Sequence, residues 1–109
     1  MAYDEALTAR VRESLPIRTD LAERKMFGGL AFMLAGNMCC CVTDKGLMVR
    51  VGPEGYEEAL ALPHAGVMDM TGRPMRGWVL VQPAGLQSRA SLSEWVSRGT
   101  GFAATLPAK

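Results

Sequence analysis

A chain of 109 residues with one histidine lacks the raw material for most zinc and acid–base sites. That residue, His64, sits in Leu62-Pro63-His64-Ala65-Gly66, which reads as an exposed loop, and no H-E-x-x-H or spaced Cys/His pattern accompanies it. Cysteine is equally sparse. The three present are consecutive, Cys39-Cys40-Cys41, which forms neither a disulfide framework nor a C-x-x-C knuckle, so reduced thiols are expected. A cysteine nucleophile needs a base beside it, and His64 is the only imidazole. On a strand, Cys40 would face one way and Cys39 with Cys41 the other. No catalytic residue, metal or cofactor is therefore assigned, and the chain is expected not to be an enzyme.

Charge of either sign is not in excess. Twelve Lys and Arg stand against eleven Asp and Glu, a net charge of +1, whereas nucleic-acid binders usually carry a clear basic surplus. No run approaches the roughly 18 apolar residues that span a bilayer. The opening Met1-Ala2-Tyr3-Asp4-Glu5 lacks the basic-then-apolar order of a secretory signal, so the expected location is the cytoplasm. At 49% apolar and 21% charged, the composition is that of one ordinary globular domain spanning 1–109.

What the chain does have is periodicity that changes along its length. Tyr3, Leu7, Val11 and Leu15 recur every four residues and predict an amphipathic helix capped by Asp4 and stopped by Pro16. A polar connection is expected over 18–25. From Met26 the period becomes two: Leu30, Phe32 and Leu34; Met38, Cys40 and Val42; Leu47, Val49 and Val51. The short breaks Ala35-Gly36-Asn37 and Asp44-Lys45-Gly46 make these three strands an antiparallel meander. Gly52-Pro53-Glu54 opens a short helix with proline at its first position, running to Leu60 or Leu62. Val67–Met70 and Met75–Val81 read as two more strands, the second placing Trp78 on one face with Arg76 and Leu80. Ser91-Leu92-Ser93-Glu94 is a capping-box pattern that starts a last helix, with a kink or fraying expected near Gly99, Thr100 and Gly101. The order α-β-β-β-α-β-β-α predicts an α+β fold of two layers, an antiparallel sheet of about five strands carrying helices.

The residues singled out for binding are Arg18, Arg24, Lys25, Phe27, Gly28 and Gly29, a basic connection leading into a paired-glycine bend. Paired glycines can present backbone N–H groups to an anion, but this is neither a dinucleotide fingerprint nor a P-loop, and a tight bend or bulge is the plainer use. Eight methionines could make an adaptable binding face, though strand positions also suit them to packing.

Three segments together, Arg24-Lys25-Met26-Phe27-Gly28-Gly29-Leu30-Ala31-Phe32, Gly46-Leu47-Met48-Val49-Arg50-Val51-Gly52 and Arg73-Pro74-Met75-Arg76-Gly77-Trp78-Val79, give the chain a family likeness. It resembles the N-terminal domain of the TfoX (Sxy) bacterial competence regulators in a stand-alone form without the C-terminal domain. The resemblance runs on through Trp95-Val96 and Phe102 to Leu106-Pro107. It implies a secretion-chaperone-like fold with an antiparallel sheet, and a non-enzymatic regulatory or protein-binding module. The expected partner is another protein, a homodimer being one form of this. The alternative is a nucleic-acid or small-ligand domain using Arg18, Arg24 and Lys25, and no membrane association is expected.

Overall fold

A computed structural model describes residues 4–26, 28–69 and 74–108. Ten residues, Glu5–Ser14, form helix α1; the Asp4 carboxylate accepts the Leu7 N–H at 3.1 Å, closing one of the unsatisfied donors of the first turn. Six strands follow: β1 (Leu21–Met26), β2 (Gly29–Leu34), β3 (Asn37–Thr43), β4 (Gly46–Arg50), and then, after the short helix α2 (Tyr56–Leu60), β5 (Ala65–Asp69) and β6 (Pro74–Val81). A 3-10 turn over Pro83–Leu86 leads into α3 (Arg89–Ala103). All neighbours pair antiparallel in the order β1-β2-β3-β4-β6-β5. The two-layer α+β architecture is as expected.

Six strands replace five because the polar connection is partly a strand. β1 has mostly exposed, charged positions, so it lacks the apolar alternation that marks a half-buried strand. Its pairing with β2 supplies the backbone hydrogen bonds that its side chains do not advertise. Asn37 belongs to β3 and not to the turn before it; only Ala35 and Gly36, at φ 51° and 86°, make the left-handed turn. α2 begins at Tyr56 and not at Pro53, whose stretch to Gly55 is a turn. What the sequence leads one to expect of Tyr3, Phe27 and residues 70–73 falls outside the described residues.

The last helix starts earlier than its capping-box pattern suggests. Ser88 is the cap, accepting the Ser91 N–H at 3.0 Å, while the Ser91 hydroxyl donates to the Gly85 carbonyl and Glu94 pairs with Arg98 at 3.2 Å. No break occurs at Gly99. A side chain there would collide with the Cys39 carbonyl oxygen, so the glycine is what lets α3 lie against β3.

Bulges at Cys39 and Gly77 reset the alternation. Phe32 pairs with Cys40 and Met33 with Met38, which leaves Cys39 as an extra residue in β3. Cys39 consequently joins Cys40 in the helix-side core, and only Cys41 faces the other way, a correction to the simple alternation. At Gly77 (φ 93°) both the Val51 and Gly52 N–H groups donate to one carbonyl, at 2.8 and 3.0 Å. Arg76 thereby comes over the Tyr56 ring, 5.8 Å from its centroid, while Trp78 and Leu80 pack on the opposite face. The expected grouping of Arg76 with Trp78 does not form.

Candidate functional site

Strand alternation gives the sheet two apolar faces with different cover. One carries Leu30, Phe32, Leu34, Val42, Leu47, Val49, Val79 and Val81, packed beneath Leu7 and Val11 of α1, Tyr56 and Ala59 of α2, and Leu92, Trp95 and Val96 of α3. Every buried apolar residue from the three helices lies in this cluster. The second cluster consists of strand residues alone: Ala31, Met38, Cys41, Met48 and Met68, with Met26, Met33, Met75, Trp78 and Leu80 partly buried around them. Six of the chain's eight methionines sit on this face.

Its floor is closed by its own side chains. Ala31 and Cys41 are direct partners and have no exposure, while the flanking Met33, Trp78 and Leu80 are half-buried. Methionine suits that position because its unbranched thioether chain fills irregular space and repacks at low cost. Two cations share the face. Arg24 is paired with Ala31, and Arg50 with Trp78, whose ring its guanidinium covers at 5.3 Å; Phe102 lies 5.4 Å from the same guanidinium. Glu23 of β1 turns to the helix side, where Arg12 of α1 holds it at 2.5 and 2.8 Å.

The sequence-predicted binding residues are brought near one another without converging. Arg18 is engaged by Asp20 through two 2.8 Å contacts and lines a groove of about 450 Å³ with Leu15, Ile17, Leu21 and Phe32. Arg24 and Lys25 are successive strand residues and point to opposite faces. Gly28 takes φ 72°, the tight bend anticipated, and a side chain at Gly29 would overlap the Val42 carbonyl, so this glycine permits close approach of β2 and β3. Phe27 lies outside the described residues. Arg50 was not anticipated; the signal available was the alternation Met48-Val49-Arg50 once Val49 is assigned to the helix side.

The cysteines are buried thiols. Desolvation pushes Cys41 up to about 11, and contact with Cys39 followed by burial pushes Cys40 higher than usual. A hydrogen bond from Cys40 draws Cys39 down, but Cys39 has no exposed surface and donates to the Phe32 carbonyl at 3.2 Å. Among the described residues, no group of three or more His, Cys, Asp and Glu side chains is placed to hold a metal, and no helix is long and apolar enough to cross a membrane.

No match was found among curated proteins, and none among solved structures. A family model described as the TfoX N-terminal domain matches residues 13–103, from the end of α1 through the end of α3. That match takes in the whole sheet and both of its faces, and the chain belongs to the TfoX N-terminal domain family.

Proposed function

We propose that the chain is a non-enzymatic regulatory module that works by binding another protein through the methionine-rich face of its sheet. The observation carrying this reading is the one-sidedness of the domain: all three helices pack on one face, and the other presents flexible apolar side chains without a covering helix among the described residues. The half-buried Met26, Met33, Met75, Trp78 and Leu80 around its closed centre are the apolar side chains open to a partner. Family membership supports a regulatory role. The buried, largely proton-holding cysteines give no support to a thiol mechanism.

The test is capture from native lysate with the tethered chain, using as control a Met33→Glu variant shown to be folded by circular dichroism. A protein retained by the wild type and lost from the variant is the expected result. Equal retention by both, or none by either, contradicts the proposal.

A further inference from the structure

Resting on that reading, we infer that the partner segment is an acidic amphipathic helix, with carboxylates about three turns apart flanking an apolar centre. Register fixes where the two cations stand. Arg24, Ala31, Cys41 and Met48 form one row across four strands, each the direct partner of the next, and Arg50 lies two residues beyond Met48 along β4. Three strand spacings of about 4.8 Å and two residue rises of about 3.3 Å put the Arg24 and Arg50 backbones about 16 Å apart.

Between them the half-buried Met33 lies beside buried Met38, Met48, Ala31 and Cys41, and half-buried Leu80, the direct partner of Met48, and Trp78 continue the apolar area. An occupant must therefore bury apolar side chains centrally and meet positive charge at both ends. In a helix rising about 1.5 Å per residue, about 11 residues cover 16 Å, and positions i and i+11 return to the same side. An apolar stripe with Glu or Asp at such a spacing satisfies both requirements at once. A second copy of this face would bring further arginines to the contact. Arg24 has no ion pair among the described residues, so a partner carboxylate displaces nothing there.

Two synthetic 18-residue leucine/alanine helices test this, one with Glu at positions 4 and 15 of the apolar stripe's border, the other with Lys there. Fluorescence anisotropy is expected to show the Glu peptide binding at least fivefold more tightly than the Lys peptide. Arg24→Glu should lower Glu-peptide affinity at least fivefold, while Lys25→Glu, one residue on but facing the helices, leaves it unchanged. Equal binding of the two peptides, no binding of either, or equal effects of the two substitutions overturns the inference. So does concentration-dependent dimerisation abolished by Met33→Glu, or binding of a fluorescein-labelled oligo(dT) that depends on Arg24. Lysate capture separates the two levels: a partner lost on Met33→Glu but unaffected by Arg24→Glu leaves the binding reading standing and removes the acidic-helix inference.

Discussion

Gly99 and Gly101 carry the same residue type in the same helix under opposite constraints. At Gly99 a methyl group would meet the Cys39 backbone carbonyl, which cannot swing aside as a side chain could. Gly99→Ala should therefore destabilise the fold by about 1–3 kcal/mol through overpacking, more than the gain of about 1 kcal/mol in helix propensity. Gly101 is exposed with open space around its missing Cβ, so Gly101→Ala should stabilise by up to about 1 kcal/mol. Urea denaturation of both variants checks the pair, and a Gly99→Ala protein as stable as wild type would contradict the close packing. Sequence reading saw two glycines as equal liabilities; only the distance to β3 distinguishes them. The cysteines follow a similar logic. Native protein treated with iodoacetamide at pH 8 should stay unmodified at all three and react only when denatured, as read by mass spectrometry. Cys41 is raised in the folded state, so its contribution is complete below its ordinary value near 9 and is lost as pH climbs toward about 11. Urea midpoints should fall over that interval, and less so in Cys41→Ala.

At the scale of elements, the strands β2, β3, β4 and β6 were legible because one apolar face of a sheet imposes period two on the sequence. β1 was not, since an edge strand is defined by whom it pairs with and its exposed charges carry no such period. The bulges at Cys39 and Gly77 were hidden for another reason: each inserts one residue into a ladder, a matter of register between distant segments that local alternation cannot reveal. This is also why the faces of Arg76 and Cys39 were not legible, whereas that of Arg50 follows from the local alternation with Val49. Arg12 of α1 forms an ion pair with Glu23 of β1. Arg12 holds the Glu23 carboxyl below its ordinary value of 4.5, so its contribution is present above that value and is lost as pH falls through the lowered one. Because both partners are partly exposed, Glu23→Gln should cost under about 1 kcal/mol at pH 7 and nothing at pH 2, measured by chemical denaturation. A larger loss would mean that β1 is held by its edge charge and not by its ladder with β2.

For the molecule as a whole, the decisive property is a six-stranded sheet with helices on one side and methionines on the other. The basic connection first nominated for binding is divided by the fold: Arg18 is paired, Lys25 faces the helices, and Arg24 alone reaches the methionine face. Photo-methionine incorporation places a cross-linker at the proposed surface, since six of eight methionines lie there. Irradiation of the tethered chain in native lysate, followed by peptide mapping, tests the central claim most directly. The expected result is attachment of a second protein through Met26, Met33, Met38, Met48, Met68 or Met75, abolished by Met33→Glu in a folded variant. Absence of any cross-linked protein above background, or attachment that persists undiminished in that variant, would contradict it.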